Sequence, residues 1–274
     1  MKIIVPMAGL GSRFQKAADT NPEYKKPKPF ISVKGIPMVR WATGSLTFLE
    51  HPGQSLSSSM KVTPTDLIFI VLKEHDAQYA LEKGLREIYS DAIRVVTLPA
   101  LTRGASETAY QAKPFVSPDE EIVISDSDHY FDGKPFEEAI LHARGSNIAG
   151  IIPVFTPPDD GIPRWSYSLT EPNGTRIIDE GEKDRSLMEA GAYANIGAYY
   201  FSKAKYFFTE FEHVERENKM SGDEGKKEFY VAPLYKEMLD AGMHLEAALL
   251  PEVWGLGTPS DLEHFLAYCP RQAP

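Results

Sequence analysis

Short apolar runs alternate with longer stretches of helical spacing over the first 150 residues. Residues 2–7 (KIIVPM) and 67–72 (LIFIVL) are almost uninterrupted apolar segments of strand length and predict buried strands. Between 75 and 89, Ala77, Ala80, Leu81, Leu85 and Ile88 recur at helical spacing and predict a helix. A strand at 93–97, a helix at 105–114, a strand at 121–125, a helix at 135–144 and a strand at 148–154 follow. Strand and helix in alternation predict a mostly parallel sheet with helices on both faces, joined by right-handed crossovers. Residues 51–64 (HPGQSLSSSMKVTP) are Ser-rich and without period, and read as an exposed loop.

The second half has a different pattern. Tyr167–Thr170, Pro172-Asn173-Gly174 and Arg176–Asp179 predict a hairpin, because Asn-Gly is a strong turn signal. A strand over 192–201, helices over 203–218 and 228–241, a strand over 245–250 and a helix from Pro259 to Tyr268 complete the reading. This half adds antiparallel strands and a lid. Phe207, Phe208 and Phe211 fall at helical spacing and are expected in the core. Ligands of open α/β sheets sit beyond the carboxyl ends of the strands, so the loops after residues 7, 98 and 125 are expected to converge on one pocket.

Charge narrows the function classes. With 29 Lys+Arg against 39 Asp+Glu the net charge is −10, which argues against a general nucleic-acid binder with a broad basic face. It leaves room for a nucleotide site, which needs only a few local donors. The single cysteine, Cys269, allows no intrachain disulfide. No apolar run reaches the roughly 20 residues of a membrane span, and the start has no signal-peptide pattern, so a cytoplasmic protein without membrane association is expected.

Two N-terminal segments carry candidate chemistry. Gly9-Leu10-Gly11-Ser12-Arg13 directly follows the first strand. Such glycines leave backbone N–H groups free to face anionic oxygens, and Arg13 adds a bidentate cation. No Gly-Lys-Ser/Thr follows, and the third glycine of a dinucleotide fingerprint would be Phe14, so neither phosphate motif is met. Alone, the segment reads equally as a tight turn. In Lys25-Lys26-Pro27-Lys28-Pro29-Phe30 the flanking prolines restrict the backbone around Lys28. Three lysines there would neutralise a triphosphate, although a lysine run alone also suits a solvated loop. The seven histidines form no zinc pattern, and no nucleophile elbow is present.

Taken together, GLGSRF…KPKPFISVKGIPMV resembles the signature of the sugar-phosphate nucleotidylyltransferase superfamily: G-x-G-x-R, a variable gap, P-K-P, then V-x-G-x-P-M. The resemblance continues at Thr102-Arg103-Gly104-Ala105-Ser106-Glu107-Thr108, Asp126-Ser127-Asp128-His129-Tyr130, Glu182-Lys183, Asn195-Ile196-Gly197 and Trp254-Gly255-Leu256-Gly257-Thr258-Pro259. It implies an α/β, Rossmann-like (GT-A-like) three-layer fold with a mixed, mostly parallel central sheet and an antiparallel lid. It also implies one domain over 1–274, with a nucleotide-binding half (1–155) and an acceptor-binding half (156–274).

The activity implied is coupling of an NTP to a phosphorylated small molecule with release of pyrophosphate, assisted by Mg²⁺. Met7, Ala8, Gly9, Leu10, Gly11, Ser12 and Arg13, with Thr102, Gly104 and Ala105, would hold the nucleotide. Lys28 would bridge to the α-phosphate and Lys183 would hold the incoming phosphate. Asp128, and second to it Asp126, would bind the metal; Tyr130, Glu182, Asn195 and Gly197 would meet the acceptor. Two departures stand out. Asp184 replaces the proline of E-K-P, and Gly255 stands where many members carry a second metal-binding aspartate. Asp261 is expected to cap or flank the last helix. A glycosyltransferase using Asp126-Ser127-Asp128, and a non-enzymatic nucleotide sensor, are rival readings. Small bacterial enzymes that activate sugar 1-phosphates for surface polysaccharides look most similar, with phosphocholine cytidylyltransferases beside them. CTP, UTP, GTP and dTTP all remain open, as do the acceptor and the oligomeric state.

Overall fold

The structure, a computed structural model, describes every residue except 54, 55, 57, 223, 224 and 272–274. Its strands are β1 (Lys2–Met7), β2 (Ser32–Val33), β3 (Ile36–Pro37), β4 (Leu67–Leu72), β5 (Arg94–Leu98), β6 (Ile122–Ser125), β7 (His129–Phe131), β8 (Ile148–Phe155), β9 (Ser166–Thr170), β10 (Ile177–Glu182), β11 (Tyr193–Asn195), β12 (Ala198–Phe201), β13 (His244–Leu249) and β14 (Val253–Gly255). Ten of them form one sheet in the order β10-β9-β11-β8-β12-β6-β1-β4-β5, with β13 beside β8. β5, β4, β1 and β6 are parallel, as the alternation of elements predicts. β12 runs antiparallel between β6 and β8, and β9, β10 and β11 continue the sheet as the antiparallel addition.

Alternation along the strands builds three layers. Ile4, Ile68, Ile70, Ile122 and Ile124 face helices Ala105–Tyr110, Ala204–Arg216 and Ala232–Asp240 through Ala109, Phe207, Phe208, Phe211, Tyr235 and Met238. Ile3, Val5, Met7, Phe69 and Val71 face Met38–Gly44, Leu81–Ile88 and Lys134–Ala143 through Val39, Leu85, Phe136 and Ile140. A third cluster ties the two ends of the chain together. Phe14, Tyr24, Ile31, Val33 and Trp41 pack on Leu256 and on Leu262 and Phe265 of the last helix, Pro259–Tyr268, with Trp41 edge-on to Phe265 at 4.9 Å. Cys269 is buried in the same cluster.

Several elements differ from expectation for local reasons. The helix expected over 75–89 is two helices, Lys73–Tyr79 and Leu81–Ile88, separated at Ala80, whose φ is +51°. The strand expected over 192–201 is divided between β11 and β12 at Gly197. Both pieces lie on one edge of β8, but β11 turns to β9 and β12 to β6. The helix expected from 228 begins at Ala232, because Glu228 bridges back to Ser221 and Phe229 is tied to the loop before Ala105. The helix expected over 105–114 ends at Tyr110, with a separate 3₁₀ turn at Lys113–Phe115. The Ser-rich loop is not uniformly exposed: His51, Met60 and Val62 are buried, and Ser58 donates to Glu137 at 2.7 Å. Residues 54, 55 and 57 of that loop lie outside the described residues.

Candidate active site

The parallel strands β1, β5 and β6 end on one side of the sheet, and their loops bring distant residues together. The turn after β1 exposes Gly9, Leu10, Ser12 and Arg13, whereas Met7 and Ala8 stay buried in the strand end. It packs directly on the lysine segment, since a methyl group on Gly11 would lie 3.2 Å from Lys28 Cβ. Pro27 and Pro29 are buried on either side of Lys28, which leaves the lysine as the group that projects from the segment. Its Nζ donates to Asp128 Oδ2 at 2.6 Å; the two side chains are 27% and 22% exposed.

Asp128 belongs to the turn between β6 and β7. That turn is pinned on two sides. Asp126 N donates to Gly197 O and Leu256 N to Asp128 O, each at 2.8 Å. Gly197 has φ +88°, and a Cβ there would stand 2.6 Å from Asp126 Oδ2, so glycine meets both a backbone and a space requirement. Burial, then repulsion from Asp128 and Glu182, push Asp126 up to about 7 against the attraction of Lys28. Burial also opposes ionisation of Asp128, but Lys28, by charge and hydrogen bond, and Arg13 hold it below the usual carboxylate range. Beneath the pair, burial drives His129 down to about 4, so its imidazole is neutral at pH 7.

Such a donor set suits a hard divalent cation. Two carboxylate oxygens that repel each other when ionised gain most from a cation between them, and Mg²⁺ commonly takes one or two carboxylates together with phosphate oxygens. Among the described residues no group of three or more His, Cys, Asp or Glu converges on one point. Gly255 adds no acid. Its nearest carboxyl is Asp261, whose Oδ2 accepts from Thr258 Oγ1 at 2.7 Å while Asp261 N donates back to Thr258 Oγ1 at 3.1 Å, the helix cap expected of it.

The antiparallel addition contributes a ladder of serine–carboxylate rungs. Ser166 lies opposite Glu182 and Ser168 opposite Glu180. Ser166 Oγ donates to Glu182, which is half-buried and contributes to the charge at Asp126. Lys183 follows at φ +52°, with its backbone N–H donating to Trp165 O at 2.8 Å. Deeper in, Ser168 Oγ is 2.5 Å from Glu180 Oε2 and 2.8 Å from Asn195 Oδ1, and Asn195 Nδ2 donates to Glu180 Oε1 at 2.9 Å.

The second loop is clasped from across the sequence. Phe229 N donates to Arg103 O at 2.9 Å, and Ser106 N and Oγ donate to Phe229 O at 3.0 and 2.8 Å. A Cβ on Gly104 would stand 2.5 Å from Phe229 N. Thr102 Oγ1 and Thr108 Oγ1 share a hydrogen bond of 2.6 Å across the start of the helix, beside Ala105.

Of the residues singled out in the sequence, Gly11, Arg13, Lys28, Asp126, Asp128, Glu182 and Gly197 thus form one connected neighbourhood. Thr102, Gly104 and Ala105 belong to the segment clasped by Phe229, and two further residues have other partners. The Tyr130 ring packs against Trp41 and Phe265 at 5.2 and 6.3 Å, with Arg271 and Glu252 as its charged neighbours. Asn195 is buried, with its amide engaged by Glu180 and Ser168. Glu180, Ser166, Ser168 and Phe229 were not foreseen. The period of two along 177–182 puts Glu180 on the same face as Glu182 and was the available signal; nothing local points to Phe229.

No protein-family model and no curated protein matches the chain. Solved structures share its fold over nearly its full length. A nucleoside-diphosphate-sugar pyrophosphorylase from Vibrio cholerae RC9 superposes with a TM-score of 0.73 at 22% identity, covering 97% of this chain and 100% of that one. The UTP-bound UGPase of Acinetobacter baumannii gives 0.67 at 16%, covering 97% and 92%. The inositol-1-phosphate CTP transferase of T. maritima gives 0.64 at 14%, covering 95% and 90%.

Proposed function

We propose that this chain is a nucleotidylyltransferase that couples an NTP to a phosphorylated small molecule and releases pyrophosphate. One observation carries the reading above the others: Lys28, packed under the Gly9–Ser12 turn, is ion-paired with Asp128 at the mouth of a parallel sheet. A chain of net charge −10 gathers Arg13 and Lys28 beside two repelling carboxylates, a combination suited to a polyanion that arrives with a divalent cation. The fold is shared with proteins that are named for this chemistry.

In this reading an oxygen of the acceptor's phosphate attacks the α-phosphorus of the NTP, the α–β bridging bond breaks and pyrophosphate leaves with the electron pair. No covalent enzyme intermediate is needed. The residues align two polyanions and neutralise charge as it develops. The backbone of 9–12 and Arg13 bind the β- and γ-phosphates. Lys28 moves from Asp128 to the α-phosphate, and Lys183 meets the incoming phosphate. Thr102, Gly104 and Ala105 line the nucleobase side; Glu182 contacts acceptor hydroxyls. Asp126 and Asp128 would hold Mg²⁺, which when bound supplies electrophilic polarisation of phosphate oxygens and orientation. We take the acceptor to be a sugar 1-phosphate for a surface-polysaccharide precursor, with a phosphorylated alcohol such as phosphocholine as the alternative.

A pyrophosphate-release screen tests this. CTP, UTP, GTP and dTTP are each paired with glucose 1-phosphate, N-acetylglucosamine 1-phosphate, inositol 1-phosphate and phosphocholine, with and without Mg²⁺. Acceptor-dependent pyrophosphate from at least one pair is expected. Glycosyl transfer from a nucleotide sugar without any pyrophosphate release, or nucleotide binding without turnover, would replace the reading.

A further inference from the structure

Glu180 is 4% exposed, and no cation pairs with it among the described residues. Its partners are Ser168 Oγ, at 2.5 Å from Oε2, and Asn195 Nδ2, at 2.9 Å from Oε1; Ser168 Oγ is also 2.8 Å from Asn195 Oδ1. These three contacts close a ring, and each contact needs one hydrogen. Ser168 supplies one and the Asn195 amide supplies one toward Glu180. With an ionised Glu180 the third contact would set two acceptors against each other. Exchanging the oxygen and nitrogen of Asn195 does not change the count: Asn195 would then donate to Ser168, Ser168 to Glu180 Oε2, and two bare oxygens would meet at Glu180 Oε1.

We propose that Glu180 stands as an un-ionised carboxylic acid whose proton closes this ring, and that the ring is a positioning element for the acceptor side of the cleft. Glu180 Oε2–H donates to Ser168 Oγ, Ser168 Oγ–H to Asn195 Oδ1, and Asn195 Nδ2–H to Glu180 Oε1. The positioning role rests on the function proposed above; the protonation state does not. Two consequences matter for chemistry. Asn195 is fixed through both of its amide atoms, which leaves its second Nδ2–H as the one donor not engaged within the ring. Glu182, two residues along on the same face, is carried by the same three strands and meets Ser166 one rung away.

The surroundings favour the neutral acid. Glu182 and Asp179 on its own strand repel a charge at Glu180, with Asp179 itself paired to Lys236 at 3.1 Å. Tyr199 of β12 and Tyr235 of the helix Ala232–Asp240 face it as further titratable groups, both buried. Burial places Glu180 well above the ordinary glutamate range.

Glu180→Gln reproduces the ring with an amide N–H in place of the acid O–H, and the infrared difference spectrum of wild type minus this variant at pH 7 reads the protonation state directly. The carbonyl stretch of a protonated acid is expected in the wild type; its absence overturns the proposal. Thermal midpoints should coincide at pH 4 and separate as pH rises, with the wild type falling further than Glu180→Gln; parallel curves would overturn it too. The positioning role is read from KM with glucose 1-phosphate plus UTP and phosphocholine plus CTP. Glu180→Leu, and the milder Ser168→Ala, should raise acceptor KM at least fivefold with NTP KM unchanged, while Glu180→Gln stays within twofold of wild type. An infrared band with no change of acceptor KM in either variant removes the positioning role. If neither pair turns over, the same KM comparison is made with whichever pair of the pyrophosphate screen is active; absence of turnover with every pair counts against the function proposed above, and the band and the pH curves still decide the ring.

Discussion

Lys28 and Asp128 are 100 residues apart in sequence and 2.6 Å apart in space, and the chemistry proposed here turns on them. Lysine at this point combines a charge with a reach that the prolines on either side restrict. Lys28→Ala should therefore lower turnover by more than tenfold while the thermal midpoint stays within a few degrees; near-normal turnover would refute the role. Asp126 offers an independent reading. It is pushed up from 3.8 to about 7 by burial and by Asp128, so the metal-free folded protein holds a proton that the unfolded chain has already lost. Stability is then fully present below about pH 4 and declines until the pH passes about 7. Melting curves in EDTA should show Asp126→Asn matching wild type at pH 4 and exceeding it at pH 8, and added Mg²⁺ should narrow the gap at pH 8. A gap that does not vary with pH would show that Asp126 is not the group that titrates.

At the scale of elements, the site is made where strands and loops are interrupted. β11 and β12 would be one strand but for Gly197, and the break is what lets the β6 turn lodge against it. The loop before Ala105 is set by the segment that ends at Val231, through three hydrogen bonds to and from Phe229. Gly104→Ala would push a methyl group onto the Phe229 backbone, and overpacking of that kind costs about 2 kcal/mol. A urea titration should show that loss. If the loop faces the nucleobase, KM for the NTP should rise more than KM for the acceptor. A Gly104→Ala protein as stable as wild type would mean that the clasp yields at no cost. The expected helix from 228 failed here for the same reason: the backbone groups of Glu228 and Phe229 are committed to Ser221 and Arg103 and are lost to a helix.

At the scale of the molecule, the last helix supports the first loops. Phe265 is fully buried against Trp41, and Trp41 Nε1 donates to Val33 O at 2.9 Å, a few residues after Lys28. Phe265→Ala should destabilise the protein by about 3 kcal/mol, a fall in melting midpoint of roughly 5 °C for a chain of this size. Calorimetry reads this, and a change under about 2 °C would mean the helix is not part of the cooperative unit. Among the described residues no helix is long and apolar enough to cross a membrane.

How much of this was legible depends on the range of the interaction behind each feature. The parallel strands, the two helical layers and the ordered motifs at Gly9–Arg13, Lys28, Asp126–Asp128 and Glu182–Lys183 could be read from the chain, because apolar period and turn chemistry act over a few residues. So could the cap formed by Thr258 and Asp261. The pairing of Lys28 with Asp128, the break at Gly197, the hold of Phe229 on the second loop, the packing of the Tyr130 ring against the last helix and the commitment of Asn195 to Glu180 could not. Each joins segments far apart in sequence, and its free energy exists only after the sheet has ordered its strands and water has left the space between them.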